Sequence, residues 1–230
     1  MERLDQILVS QKLVSNRTRA GELISRGKVQ VDGQVVTKSG KKFPETATIQ
    51  LLELELPWVS RGALKLIAAL DHWNIPVDTK VAIDVGASTG GFTEVLLQRG
   101  CSKIFAVDAG SGQLAKSLAS DDRVLNLENM NFRFFTGSEI EGKANLGVMD
   151  VSFISQTLLF PSLKRSLNRN ADVITLVKPQ FEAGKERVGK GGIVRDEQVR
   201  QEVLSNVVQA AKEEGFKVLG TIPSPIEGGD

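Results

Sequence analysis

The segment from Val81 to Thr93 limits the possible folds of this chain more than any other. An apolar run, Val81-Ala82-Ile83-Asp84-Val85, passes directly into Gly86-Ala87-Ser88-Thr89-Gly90-Gly91-Phe92-Thr93. A buried strand, a glycine-rich turn and a helix start, in that order, form the opening unit of a doubly wound α/β sheet. The text around it has the same alternation. Strand-like runs fall at Val81–Val85, Lys103–Val107, Val124–Leu127, Leu146–Val151, Val173–Val177 and Lys217–Thr221. Helical runs fall at Gly62–Trp73, Phe92–Arg99, Ser155–Ser166 and Asp196–Glu214. In such a sheet, ligands collect at the C-terminal ends of the strands. A glycine turn there lets a ligand approach the backbone, and the helix behind it offers free N–H groups.

The turn fits neither the G-x-G-x-x-G spacing of dinucleotide enzymes nor the G-x-x-x-x-G-K-[ST] phosphate loop. It resembles the first motif of S-adenosylmethionine-dependent methyltransferases. That resemblance implies an acidic residue at the end of the next strand to hold the ribose hydroxyls, and Asp108 stands there, 22 positions after Gly86. The expected cofactor set is Asp84, Gly86, Ala87, Ser88, Thr89, Gly90, Gly91, Phe92 and Asp108. Asp84 either contacts the cofactor amine or caps the loop. Glu128 and Asn131, after the third strand, either reach the adenine edge or belong to a surface turn.

The first fifty residues differ in character. They hold nine Lys or Arg against five Asp or Glu, although the whole chain carries a net charge of only +1. Leu4, Ile7, Leu8 and Leu13 follow helical spacing, and Ser15 is placed to cap a second helix running from about Arg17 to Ser25. Gly27 ends it, and Asp32-Gly33 marks a hairpin between Val29–Val31 and Val35–Val36. The order Arg3-Leu4-Asp5, Ser15-Asn16-Arg17, Ala20, then Leu23 through Gly33 resembles the small RNA-binding domain named after ribosomal protein S-four. By that resemblance Arg3, Arg17, Arg19, Arg26 and Lys28 are the phosphate contacts, set against the plainer reading of a solvated helix face. Recognition would be of RNA shape and would weaken with salt. From Glu45 to Leu56 the text is strand-like or irregular, and Pro57-Trp58 marks the hinge. The expected division is residues 1–58 for RNA binding and linker, and 59–230 for the catalytic domain.

A single cysteine, Cys101, has no disulfide partner, and with one histidine, His72, zinc lacks ligands. Cys101 reads as a packing residue and His72 as a helix-end residue. No cleavable signal or long apolar run is present, so the expectation is a cytoplasmic protein with no membrane role and no metal.

Three further positions fall at the ligand edge of such a sheet. Lys65 lies in Ser60-Arg61-Gly62-Ala63-Leu64-Lys65-Leu66, Asp150 ends the fourth strand, and Lys178 ends the fifth before Pro179. Methyl transfer to a ribose hydroxyl needs a base as attack proceeds. A lysine amine, with an ordinary pKa of about 10.4, serves only where a like charge and a drier site favour its neutral form. Lys178 is the expected base, Lys65 the neighbouring charge, and Asp150 the group that orients both amines.

These segments, together with Gly184–Asp196, resemble the TlyA family of ribosomal RNA 2′-O-methyltransferases, relatives of the FtsJ group. The resemblance spans essentially the whole chain. It implies a Rossmann-like, S-adenosylmethionine-dependent α/β methyltransferase domain behind a small α+β RNA-binding domain, acting on cytidine ribose in ribosomal RNA or ribosomal subunits. It also makes Lys65, Asp150 and Lys178 three members of a Lys-Asp-Lys-Glu tetrad. The family's glutamate follows a Ser-Pro-Ile turn in a Gly-Asn-x-Glu segment; here Ser224-Pro225-Ile226 is present and the sequence stops at Asp230. A C-terminally incomplete domain is therefore expected, with an open sheet edge that weakens activity or promotes association. The 184–195 stretch is either a mobile glycine-rich loop or an RNA-contacting lid. The rival functions are an RNA-binding scaffold without catalysis and a membrane-active hemolysin, a name that members of the family carry. The [DNS]-P-P-[YF] loop of amine-directed methylases is absent.

Overall fold

The computed structural model describes residues 1–52, 57–138, 140 and 143–226. The chain divides into two compact units, Met1–Pro57 and Trp58–Asp230.

In the first unit a short strand, β1 (Glu2–Arg3), leads into α1 (Leu4–Ser10) and α2 (Arg17–Ser25). Leu4, Ile7 and Leu8 on α1 and Ala20, Leu23 and Ile24 on α2 are buried at helical spacing. The cap of α2 is Asn16, whose side chain accepts the Arg19 N–H, and not the expected Ser15. The residue next to the helix reaches that orphan donor best. β2 (Val29–Val31) and β3 (Gln34–Val35) form the hairpin, with Asp32 at φ +49° and Gly33 at φ +78°, the left-handed pair that a two-residue turn demands. β4 (Lys42–Phe43) pairs with β1, and β5 (Ile49–Leu51) pairs with β2. Residues 53–56 of the expected irregular run lie outside the described residues.

The best-held charge in this unit is Asp5, whose side chain is 7% exposed and pairs with Arg3 at 2.9 Å and Arg17 at 3.0 Å. Hydrogen bonding from Arg3, more than any other influence, holds its carboxyl down at about 2. A depressed carboxylate stabilises the fold above its unfolded pKa of about 3.9, and that contribution is lost as pH falls through about 2. Both arginines are well exposed, so about 1–2 kcal/mol is the appropriate scale. Asp5→Asn should lower stability by that amount at pH 7 and by almost nothing at pH 2, measured by denaturant titration.

The second unit opens with α3 (Gly62–His72) and β6 (Val81–Val85), followed by α4 (Gly91–Gln98), β7 (Lys103–Val107), α5 (Lys116–Ala119) and β8 (Val124–Leu127). Then come β9 (Ala144–Met149), α6 (Phe160–Ser166), β10 (Leu167–Thr175), the single turn α7 (Pro179–Glu182) and α8 (Glu197–Glu213). The five strands form one parallel sheet in the order β10-β9-β6-β7-β8. Side chains alternate across it. Ala82, Ile104, Ala106, Leu146 and Val148 pack with Leu66 of α3 and Leu96 of α4, while Ile83, Phe105, Val107 and Met149 pack with Leu163 of α6 and Val207 of α8. From β6 the chain winds outward through β7 to β8, then returns to place β9 on the other side of β6. The sheet therefore has its switch point between β6 and β9, where a ligand crevice is expected.

Two sequence expectations need correction. The run Ser155–Ser166 is not one helix: a 3₁₀ turn at Gln156–Leu158 precedes α6, which starts afresh around Pro161. Proline suits a first turn and cannot continue one. Lys217–Thr221 forms no strand and pairs with none of the described strands. Leu219 is 66% exposed, and the segment and β10 both line a cleft of about 2260 Å³. β10 is a sheet edge among the described residues. Residues 227–230, where the expected end of the domain falls, lie outside them.

Candidate active site

Three loop starts meet at the switch point. At the end of β6, Asp84 is fully buried; Thr93 Oγ1 donates to its Oδ2 at 2.7 Å, and Oδ1 has no partner. Burial, more than the neighbouring Asp150 and Asp108 charges, pushes this carboxyl up to about 7. Gly86 follows at φ +82°, and a Cβ on it would meet the Asp150 carbonyl oxygen at 2.6 Å. Gly90, at φ +98°, precedes α4, and a Cβ there would strike Leu118 at 2.3 Å. The glycines thus answer first to the close packing of the turn itself, which also buries the first turn of α4. At the end of β7, Asp108 holds the turn: Ser88 N–H donates to Oδ2 at 2.8 Å and Gly110 N–H to Oδ1 at 2.7 Å.

At the end of β9 stands Asp150, whose N–H donates to the Val85 carbonyl at 3.0 Å. Lys65, reaching from α3, donates to its Oδ2 at 3.3 Å. Lys178, after β10, sets its Nζ 2.5 Å from Oδ1. That contact is an ion pair without hydrogen-bond alignment, and the same Nζ donates to Ser152 Oγ at 3.0 Å. The three side chains are only 17–20% exposed. Residues 85 and 28 positions from Asp150 in sequence therefore meet on one carboxylate, with Gly86 packed against its backbone. Two ammonium groups thus share one counter-charge.

Other expected positions lie elsewhere. Glu128 accepts the N–H groups of Gly112, Gln113 and Leu114 at 2.6, 2.8 and 3.2 Å, and those backbone bonds hold its carboxyl below the usual range. Both of its oxygens are taken by the loop that follows Asp108. Asn131 accepts the Arg133 N–H at 3.1 Å and caps the turn at Phe132–Phe134. In the first unit Arg3 and Arg17 pair with Asp5, and Arg19 pairs with Glu22 at 3.0 Å. Arg26 caps the C-terminus of α2, and Lys28 leads into β2. Cys101 is buried, and burial pushes its thiol up to about 11, which suits packing and not nucleophilic chemistry.

The sequence reading missed Phe153. It is 91% exposed and has φ +64°, a conformation that a bulky side chain rarely adopts. Its ring lies 5.1 Å from that of Phe181, and Lys178 Nζ stands 6.0 Å from the Phe181 ring. An aromatic face is thus presented to solvent three residues from Asp150.

This geometry agrees with the comparisons. Residues 58–230 match the FtsJ-like methyltransferase family, and residues 2–49 match the S4 domain. The chain belongs to the FtsJ-like methyltransferase family. It is 44% identical over 227 residues to the 16S/23S rRNA (cytidine-2′-O)-methyltransferase TlyA of Mycobacterium tuberculosis, covering 98% of this chain and 85% of that one. Hemolysin A of Brachyspira hyodysenteriae is 37% identical, covering 98% of this chain and 94% of that protein. A solved structure from Streptococcus thermophilus that also carries a hemolysin name superposes with a TM-score of 0.78 at 42% identity, over 99% of this chain and 84% of that one. The FtsJ-like domain is thus an α/β methyltransferase fold with a parallel central sheet, and an S4 domain precedes it.

Proposed function

We propose that this protein methylates a ribose 2′-hydroxyl of ribosomal RNA, a cytidine by likeness to the TlyA enzymes, with S-adenosylmethionine as donor and Lys178 as the group that takes the hydroxyl proton. The observation that carries this reading is the junction of Lys65 and Lys178 on Asp150 at the β6/β9 switch point. The donor supplies an electrophilic methyl group on a sulfonium. The residues fit it: Asp84 keeps a buried, unpartnered carboxylate oxygen for an ammonium, Ser88 and Thr89 of the glycine turn are exposed ahead of α4, and Asp108 follows the adjacent strand, where by likeness to such enzymes ribose hydroxyls would be held. Asp150 orients both lysines, and Lys178 is the one that faces the hydroxyl. Glu128 acts here through the loop it closes. Arg3, Arg17, Arg19, Arg26 and Lys28 of the S4 domain would grip RNA phosphates, and a ribosomal partner places the work in the cytoplasm.

Phe153 offers a stacking face for a base drawn out of the RNA. Phe153→Ala should raise KM for RNA roughly tenfold, given about 1–3 kcal/mol per stacked base, with donor affinity unchanged. Filter binding and calorimetry would measure the two. No described helix is long and apolar enough to cross a membrane, which gives the hemolysin reading no spanning element. The deciding experiment maps ribose methylation on ribosomal RNA incubated with protein and donor. New methylation at a cytidine is expected, and its absence on both subunits and free RNA would overturn the reading.

A further inference from the structure

Strand pairing alone does not explain why Asp150 and Lys178 touch. The last ladder pair of β9 and β10 is Met149 with Thr175, and both functional residues lie past it. Beyond the ladder, the placement of the two side chains, Nζ and Oδ1 2.5 Å apart, depends on what holds their two loops together. Lys178 stands just ahead of α7, a single turn with no buried residue to seat it.

The connection is made by Glu182, at the end of that turn. Its Oε2 accepts the Ser155 hydroxyl at 2.5 Å, and its Oε1 accepts the Gln156 N–H at 2.9 Å. The Gln156 side chain, 1% exposed, donates to the Leu176 carbonyl at 3.4 Å and extends the same seam. Leu176 N–H donates to the Met149 carbonyl at 2.9 Å. Asp150 is therefore bracketed between Met149 and Ser155, and Lys178 between Leu176 and Glu182, with the brackets bonded to each other at both ends. The Phe153–Phe181 contact lies inside this frame. A cap for the 3₁₀ turn at 156–158 does not require Glu182, because Ser155 Oγ already accepts the Thr157 N–H at 3.3 Å.

We propose that Glu182 is a positioning residue: its carboxylate locks the Asp150 loop to the Lys178 turn and sets the ammonium–carboxylate geometry without touching substrate. Its catalytic consequence rests on the methyl-transfer reading, but the geometry does not. Loss of the lock lets Lys178 swing from Asp150 and puts the base out of line with its hydroxyl. Misplacement by about 1 Å can lower a rate by roughly 100-fold.

The test uses Glu182→Ala, Glu182→Gln and Ser155→Ala in the full chain, with circular dichroism confirming that each folds. Acetic anhydride labelling, read by mass spectrometry, reports how freely Lys178 reacts relative to Lys12. Labelling of Lys178 should rise several-fold in Glu182→Ala and in Ser155→Ala, and less in Glu182→Gln, which retains one acceptor. Turnover should fall by roughly 100-fold in Glu182→Ala, with KM for the donor unchanged. The Ser155→Ala/Glu182→Ala double variant should be no worse than Glu182→Ala alone, as expected for two halves of one contact. If Glu182→Ala does not fold, the other two variants carry the same prediction. Unchanged labelling of Lys178 in the folded variants overturns the proposal whatever the activity, as does raised labelling with undiminished turnover. Raised labelling in a protein whose unaltered form transfers no methyl group would support the lock and overturn the methyl-transfer reading instead.

Discussion

Lys178→Ala should reduce methyl transfer by roughly 10²–10⁴-fold, the range that a positioned base contributes, while S-adenosylmethionine binds as before. The separation follows from where the residue sits. Lys178 contacts Asp150, Ser152 and the Phe181 ring, on the β9 and β10 side of the switch point. Its loss leaves Asp150 with Lys65 at 3.3 Å, so the carboxylate is not stranded and the fold should persist. Lys65→Ala would leave the Lys178 pair intact and remove only the second partner that orients Asp150, so a smaller loss is expected. Isothermal calorimetry with donor, alongside single-turnover transfer to ribosomal RNA, checks both halves. Near-normal transfer by Lys178→Ala would remove this residue from the mechanism; lost donor binding would make it a ligand of the cofactor instead.

Much of the sheet was legible because its central strands are buried on both faces and read as unbroken apolar runs. Val81–Val85 and Lys103–Val107 have the bounds expected from the sequence, as does Val124–Leu127, an edge strand whose middle two residues are exposed. Legibility failed at the opposite margin. β10 begins six residues earlier than its apolar text, because Asn168, Arg169 and Asn170 at a sheet edge face water and carry no hydrophobic signal. Lys217–Thr221 has strand text, but a strand is a relation to a neighbour, and sequence alone does not supply one.

At the site, motif spacing showed which strand ends carry chemistry, because chain direction in a parallel sheet brings every C-terminal end to one edge. What it left out was orientation. Phe153 sits between Ser152 and Ile154 and reads as core; a left-handed backbone turns it to solvent. Glu182 meets Ser155 across 27 positions, a contact with no local signature. Glu128 illustrates the converse: spacing left open an adenine contact or a surface turn, and three backbone N–H groups of the loop after Asp108 occupy its carboxylate.

Asp84→Asn should move stability and donor binding in opposite directions. The carboxyl is fully buried, one oxygen is unpartnered, and burial raises its pKa to about 7. Folded Asp84 therefore holds its proton more tightly than the unfolded chain, where the pKa is about 3.9. A group raised in this way contributes stability in full below about pH 4, and the contribution is lost as pH rises through about 7. The loss across that window is on the order of 4 kcal/mol, the free energy of a three-unit shift. Asparagine keeps an acceptor for Thr93 and never ionises, so the variant should lack this slope and be the more stable protein at pH 8. Its donor affinity should fall by roughly tenfold or more, because a charge-assisted hydrogen bond to an ammonium is worth about 1.5–3 kcal/mol. Urea unfolding at pH 4, 6 and 8, with calorimetry of donor binding at pH 8, reads both effects. A wild-type stability profile with no decline between pH 4 and 8 would show that Asp84 does not titrate in that window. Unchanged donor affinity in the variant would show that its free oxygen faces no ammonium, and Asp84 would then be only the buried anchor of Thr93.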